Sequence, residues 1–303
     1  MKVSVILVNY NGRPYNEACI RSVLESSFDG RLHICVVDNG STDGSMEELE
    51  KKWAQDAGFS FLYMGENRGF SAANNAGIRQ AMRENADYLL LLNNDTCIER
   101  TMIQELVNAE QRHKNCILVP KIYYYDKKDT IWSAGGGFSR IVKKPFSYGE
   151  NRKDAPEFDV EKRCENGNGC CIFMRCEVLK KVGFLDEDFF LYYEDTEFFM
   201  RAKEKGVETC YVPAARMYHK VNGSTGGNDN PACVYYITRN WLMCHRRHLK
   251  GSAFFAFLLY FFLNRAAWMC IWAVRGKREQ VKAVGEGIGD FLKGKSGKYR
   301  SRI

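Results

Sequence analysis

Tyr88-Leu89-Leu90-Leu91-Leu92-Asn93-Asn94-Asp95-Thr96 decides the fold. Five apolar or aromatic residues read as a strand buried on both faces. The run stops abruptly at two amides, a carboxylate and a hydroxyl. In open α/β sheets, ligands bind just beyond the carboxyl ends of parallel strands. Asp95 therefore falls where a metal or a phosphate-bearing ligand would sit. A polar turn after a buried strand is the plain alternative, so the other strand ends carry weight.

Three strands precede it. Val3–Val8 runs into Asn9-Tyr10-Asn11-Gly12-Arg13-Pro14, a turn without the GxGxxG of a dinucleotide site. Leu32–Val37 ends at Asp38-Asn39-Gly40-Ser41-Thr42-Asp43-Gly44-Ser45, rich in side-chain acceptors. Phe59–Met64 is edge-like and leads to Gly65-Glu66-Asn67-Arg68-Gly69-Phe70. Helices are predicted between them: Asn16–Ser26, one carrying Met46, Leu49 and Trp53 on one face, and one from about Ser71. This alternation implies a parallel sheet covered by helices on both sides. Asn9-Tyr10, Asp38 and Asn93 to Asp95 would then line one rim, which favours a ligand crevice over three unrelated turns.

Further on, a helix near Thr101–His113 and a strand at Cys116–Val119 are expected. Residues 121–168 show little periodicity and read as a long functional or mobile loop. Cys170–Met174 returns to strand character, and Glu177–Val182 is a helix stopped by Gly183. Residues 184–199 then hold six acids, seven aromatics and no base. Carboxylates beside apolar rings acquire raised pKa values, which suits general base work. Glu194 and Glu197 read instead as acids favoured by a helix N-terminus. Tyr211-Val212-Pro213 is expected to end a strand, and His219 precedes the Gly/Ser/Thr-rich stretch 221–227.

The whole chain of 303 residues is long enough for one large domain or two small ones. Its 12 cysteines show no zinc spacing and read as free thiols of a reducing cytosol. The first apolar run is too short for a signal peptide. The net charge of +7 is unevenly spread. Residues 239–303 hold 14 Lys or Arg against three acids, so the preceding body is net negative. No nucleic-acid module is visible. Residues 253–274 are apolar and aromatic around Asn264-Arg265, with Arg246, Arg247 and Lys250 before them and nine basic residues after. Aromatics beside basic clusters suit an anionic membrane surface, with the helix lying in the interface. A spanning helix, with one Arg at its middle, and a homodimer through the C-terminal helices or a core helix are the alternatives.

The ordered set Val5–Asn11, Val36–Ser45, Asn67-Arg68-Gly69-Phe70 with Asn74-Asn75, Leu91–Asp95, Gly183–Glu187 with Tyr193-Glu194-Asp195, and His219 with Gly223-Ser224 resembles glycosyltransferase family 2. In detail it is similar to the rhamnosyltransferase-like branch. The resemblance covers about residues 3–225 and implies a GT-A fold, an α/β architecture with a mostly parallel central sheet flanked by helices, followed by a helical membrane-associating extension. It implies a glycosyltransferase domain over 1–245, with a donor nucleotide-binding half at 1–120, an acceptor-binding half at 121–245 and a basic tail at 246–303.

It further implies an inverting transfer from a nucleotide-diphospho-sugar, with dTDP-L-rhamnose the best donor, to a glycan or lipid-linked acceptor. The setting would be the cytoplasmic face of the plasma membrane. Val8, Asn9, Tyr10, Asp38, Asn67, Gly69, Asn74, Asn93 and Asn94 would contact the donor. Asp95, the acid of the DxD-like motif, would bind Mn²⁺ or Mg²⁺, with His219 as second ligand. One carboxylate is consistent with a labile cation that leans on the phosphates. Asp195 would be the general base. A metal-dependent nucleotidyltransferase would want a more basic loop than Asn11–Pro14, and a non-catalytic glycan-binding module would need neither Asp95 nor Asp195.

Overall fold

The computed structural model describes residues 1–220 and 229–299. Aliphatic and β-branched runs build β1 (Lys2–Asn9), β2 (Arg31–Asp38), β3 (Phe59–Tyr63) and β4 (Tyr88–Asn93). Between them lie α1 (Asn16–Leu24), α2 (Ser45–Trp53) and α3 (Phe70–Arg83), each returning the chain to a parallel neighbour. The resulting order is β3-β2-β1-β4, with β3 at the edge. Asn9 pairs with Asp38 and Val8 with Asn93. The three polar strand ends therefore do share one rim.

β1, β2 and β4 are buried on both faces, as near-continuous apolar runs require, while the edge strand β3 is only partly buried. Ile6, Val37, Leu89 and Leu91 join Ala73, Ile78 and Ala81 of α3 in one core. Val5, Leu7, Val36, Leu90 and Leu92 join Ile20 and Val23 of α1 in the other.

After β4 come β5 (Thr96–Ile98), α4 (Met102–Arg112) and β6 (Ile117–Tyr124). The stretch expected to be a loop carries four short strands: β7 (Ile131–Ala134), β8 (Gly136–Phe138), β9 (Pro145–Ser147) and β10 (Lys162–Cys164). Only β8 and β9 form a separate hairpin; β7 and β10 extend the main sheet. Strands of three or four residues are too short to show periodicity. The fully buried Lys121 ties this region down, reaching Asp154 at 2.9 Å and Asp159 at 2.6 Å.

β11 (Cys171–Arg175) enters antiparallel between β4 and β6, followed by α5 (Cys176–Val182), α6 (Glu194–Glu204) and β12 (Thr209–His219). β12 does not end at Pro213. Its register against β6 shifts between Val212 and Arg216, a bulge that absorbs the proline's missing N–H, and the strand continues. Its last residue, His219, pairs with Thr96 of β5.

α7 (Pro231–His248) starts at Asn230, whose side chain accepts the Ala232 N–H at 2.9 Å. α8 (Gly251–Val274) and α9 (Arg278–Leu292) complete the tail, and α7 packs against both. Position 245, drawn from sequence as a domain edge, thus lies inside a continuous helix. Phe257, Phe261 and Trp272 of α8 are buried, while Phe255, Leu259, Phe262 and Leu263 are exposed. Arg265, in the middle of this apolar helix, faces α7: its guanidinium lies 5.4 Å from the Trp241 ring and 3.5 Å from Thr238 Oγ1. The helix is long and apolar enough to cross a membrane by length and composition. All twelve cysteines carry free thiols.

Candidate active site

The rim begins with a chain of amides. Asn94 donates to Asn16 Oδ1 at 2.7 Å, Asn16 to Asn9 Oδ1 at 2.8 Å, and Asn9 to Asp38 Oδ1 at 3.0 Å. Asn9 also donates to Ser45 Oγ at 2.8 Å. Asp38 Oδ2 accepts the Gly40 and Ser41 N–H groups, each at 3.1 Å. A buried amide is stable only when its donors and acceptors are paired, and this chain pairs them. It fixes the loops after β1, β2 and β4 relative to one another.

Above these loops opens a pocket of about 250 Å³. Val8, Tyr10, Asn67, Gly69, Asn93, Asn94 and Asp95 line it, all named from sequence. Three expected donor contacts are not on its wall. Asn9 is consumed by the amide chain, and the buried Asn74 donates to Phe70 O at 3.0 Å within its own helix. Asp38 is likewise buried beneath the rim. Asn39, Phe70, Phe190, Leu191, Asn230, Ala232 and Cys233 also line the pocket, though none was named as a donor contact. Most are apolar, and apolar residues read from sequence as core. Asn39 had a signal in its place after a strand-end Asp; it accepts the Arg68 N–H at 2.9 Å and braces the Asn67–Gly69 turn.

Asp95 and His219 come together although 124 positions separate them in the chain, because β5 pairs with the end of β12. His219 Nε2 lies 3.1 Å from Asp95 Oδ1. Both residues are buried, and Asp95 Oδ1 has no hydrogen-bond partner. An unpaired buried carboxylate oxygen facing an imidazole nitrogen fits a divalent cation, since two adjacent ligands of one ion stand about this far apart. Among the described residues no cluster of three or more His, Cys, Asp or Glu encloses a metal. The stretch 221–227, including Gly223-Ser224, lies outside the described residues.

Asp195 stands in the first turn of α6, as do Glu194 and Glu197. Its Oδ2 accepts the Gly169 N–H at 2.9 Å and its Oδ1 the Thr196 N–H at 2.6 Å. Burial pushes its carboxyl above the usual range, against these two bonds. Glu194, buried beside it, is pushed up to about 8 by burial and by Asp195's charge. Glu197 is also pushed up by burial, but bonds from His248 and Arg201 outweigh that and hold it at about 2. Asp195 is not on the pocket wall; it follows the pocket-lining Phe190 and Leu191 in the chain. The Cys170 thiol, raised mainly by burial, feels the charges of Asp95 and Asp195, and its carbonyl accepts the Asn93 N–H at 2.9 Å. Tyr192 and Tyr193 precede α6 with φ of 67° and 71°. Left-handed backbone costs a side-chain-bearing residue roughly 1–2 kcal/mol, so this approach to Asp195 is held under strain.

A model of glycosyl transferase family 2 matches residues 4–183. The chain belongs to that family. It is 30% identical over 209 residues to the low-salt glycan biosynthesis hexosyltransferase Agl10 of Haloferax volcanii, covering 68% of this chain and 62% of the relative. It is 26% identical over 266 residues to the N-acetylglucosaminyl-diphospho-decaprenol L-rhamnosyltransferase of Mycobacterium tuberculosis, covering 80% and 84%. A solved mannosyltransferase from Pyrobaculum calidifontis, PcManGT, in complex with GDP-Man and Mn²⁺, superposes with a TM-score of 0.60 at 15% identity, covering 97% of this chain and 88% of that one. Three of the curated relatives are matched over only 62%, 41% and 33% of their own lengths.

The family-2 assignment agrees with the GT-A architecture: an α/β sheet whose first half is wholly parallel, with helices on both sides. The resemblance to the rhamnosyltransferase-like branch of the family likewise stands, since rhamnosyltransferases are among the chain's relatives. The matched span ends at Gly183, so Asp195, His219 and the tail lie beyond the family model.

Proposed function

We propose that the chain is an inverting, metal-dependent sugar transferase that uses a nucleotide-diphospho-sugar and acts on a glycan or lipid-linked acceptor. The observation that carries the reading is the buried Asp95–His219 pair, whose Asp95 lines the rim pocket. The nucleotide lies along Val8, Tyr10, Asn67 and Gly69, with Asp38 beneath it. Asn93 and Asn94 hydrogen-bond ribose or sugar. When bound at Asp95 and His219, Mn²⁺ or Mg²⁺ offsets the charge of the departing diphosphate.

Asp195 takes the proton of an acceptor hydroxyl. The hydroxyl oxygen bonds to the anomeric carbon from the face opposite the diphosphate, and the carbon–oxygen bond to the diphosphate breaks. The electron pair leaves with the nucleoside diphosphate, and the anomeric configuration inverts. A carboxylate whose pKa is raised is a better proton acceptor near neutral pH. Holding both partners on one rim supplies much of the rate.

L-Rhamnose from its dTDP donor is the favoured sugar, supported by the rhamnosyltransferases among the relatives. The exposed apolar face of α8, set among basic residues, supports a place at the cytoplasmic surface of the plasma membrane. The domain division into residues 1–120, 121–245 and a tail belongs to the same reading, with α7 shared between the last two. Incubation with a panel of nucleotide sugars and Mn²⁺ tests it. Donor turnover by the native chain, lost in Asp195→Asn with nucleotide binding retained, is the expected result. Unchanged turnover in that variant removes Asp195 from the role.

A further inference from the structure

Residues 189–193 form a strap between the pocket and Asp195. Four consecutive carbonyls of this strap are hydrogen-bonded by two different parts of the chain. From α3, Ser71 Oγ donates to Phe189 O at 3.1 Å and the Phe70 N–H to Phe190 O at 2.8 Å. From α7, one side chain serves the next two. Asn240 Nδ2 donates to Leu191 O and to Tyr192 O, each at 2.9 Å. Asn240 is completely buried. Its two bonds fall on the carbonyls that enter the left-handed pair Tyr192–Tyr193, directly before the Glu194-Asp195 turn.

The amide itself is oriented from behind. Arg239, also buried, donates from Nε to Asn240 Oδ1 at 3.0 Å and from Nη1 to the Tyr235 hydroxyl at 3.2 Å. That hydroxyl donates to Asp290 of α9 at 3.0 Å. The bond from Arg239 fixes which end of the amide faces the strap, so both N–H groups are delivered to the carbonyls. The Tyr193 ring stacks on Trp241, one residue further along α7, with centroids 6.3 Å apart. Phe190 stacks on Tyr236, one turn earlier, at 5.3 Å. The Asn240 bonds and both ring stacks on this side come from α7.

We propose that Asn240 is a positioning residue for sugar transfer: it holds the left-handed Tyr192–Tyr193 pair and thereby sets where the Asp195 carboxylate points. This rests on the assignment of Asp195 as base. It makes the tail helices part of the catalytic framework, because α9 and α7 orient the amide that shapes the strap. Two backbone carbonyls left without donors would relax the pair toward ordinary backbone angles and turn the start of α6.

The test compares Asn240→Asp, which keeps the shape but loses both donors, with Asn240→Ala and with Leu242→Ala. Leu242 is buried on the same helix among Trp241, Phe257 and Phe261, and touches none of the strap carbonyls through hydrogen bonds. Using full-length protein, kcat and KM are measured with the nucleotide sugar that the native chain turns over fastest. Binding of UDP, GDP and dTDP with Mn²⁺ is titrated in parallel, and melting temperatures are recorded. The expected result is a kcat lower by on the order of 10–100-fold in both Asn240 variants, with nucleotide affinity within about threefold of native and Leu242→Ala retaining kcat at a comparable loss of melting temperature.

Should both Asn240 variants fail to fold, Arg239→Leu leaves the Asn240 donors in place but removes the bond that orients the amide, along with the Nη1 bond to Tyr235, and a kcat loss of roughly tenfold is expected there. Native kcat in the Asn240 variants, or in Arg239→Leu where they do not fold, overturns the proposal. So does a loss matched by Leu242→Ala. Full turnover in Asp195→Asn overturns the base assignment on its own. Full turnover in the Asn240 variants beside an inactive Asp195→Asn overturns only the positioning role.

Discussion

Replacing Gly69 by alanine tests how tightly the pocket wall is built. Gly69 lines the pocket with φ of 91° and ψ of 166°, a region essentially confined to glycine. A Cβ there would stand 2.6 Å from Phe190 O, 2.9 Å from Phe190 Cα and 2.8 Å from its ring edge. Two of the three obstacles are backbone, which cannot swing aside as a side-chain tip does. The backbone strain amounts to about 1–3 kcal/mol and the overpacking to about 1–3 kcal/mol. Together they predict a loss of about 2–6 kcal/mol, or a melting temperature lower by at least about 4 °C at roughly 2–4 °C per kcal/mol. The strap moves before the helix does, so the bond from Phe70 N–H to Phe190 O lengthens and Asp195 shifts with it. Differential scanning fluorimetry reads the first effect, and donor turnover with Mn²⁺ reads the second. A Gly69→Ala protein with native melting temperature and native kcat would refute the close approach of α3 to the strap.

Three further expectations concern charge, metal and surface. Glu194 has a folded-state pKa raised to about 8, so the native state holds a proton that the unfolded chain releases above its ordinary value of 4.5. Stability therefore falls as pH rises from about 4.5 to about 8; Glu194→Gln should melt higher than the native chain at pH 9 and gain nothing at pH 4, and an equal gain at both pH values would contradict the burial argument. Asp95→Asn and His219→Ala should each weaken Mn²⁺-dependent donor turnover by about 10-fold or more, measured as the Mn²⁺ concentration giving half-maximal rate; an unchanged half-maximal concentration in both would dismiss the pair as ligands. Replacing Phe255, Leu259, Phe262 and Leu263 together by serine should strip the protein from phosphatidylserine-containing vesicles in a flotation assay while leaving its melting curve intact, because these side chains are exposed; equal recovery with the vesicles would point to another attachment.

The parallel half of the sheet was legible because its signals are local. Val3–Val8, Leu32–Val37 and Tyr88–Leu92 are apolar runs interrupted only by Ser4 and His33, and each ends in Asn or Asp at the rim. The direction of β11 was not legible: an apolar strand reads alike whichever way it runs, and only its neighbours β4 and β6 make it antiparallel. Pro213 was misleading because a proline argues against a central strand, yet a bulge accommodates it without ending the pairing with β6. The polar part of the site could be named from strand ends, whereas Phe190, Leu191, Ala232 and Cys233 could not, since nothing local separates an apolar pocket wall from an apolar core. Asn240 carried no signal at all. An asparagine in mid-helix gains meaning only from the strained carbonyls it meets.

The placement of α7 limits how this protein can be taken apart. The helix begins in the wall of the rim pocket and packs against α8 and α9, so it is axle as well as anchor. A chimera that borrows another relative's apolar C-terminal segment must splice after His248, or else import the whole of Pro231–His248 together with its matching strap. A fragment trimmed at residue 230 would keep every rim asparagine and Asp195, yet lose the Asn240 bonds to the strap.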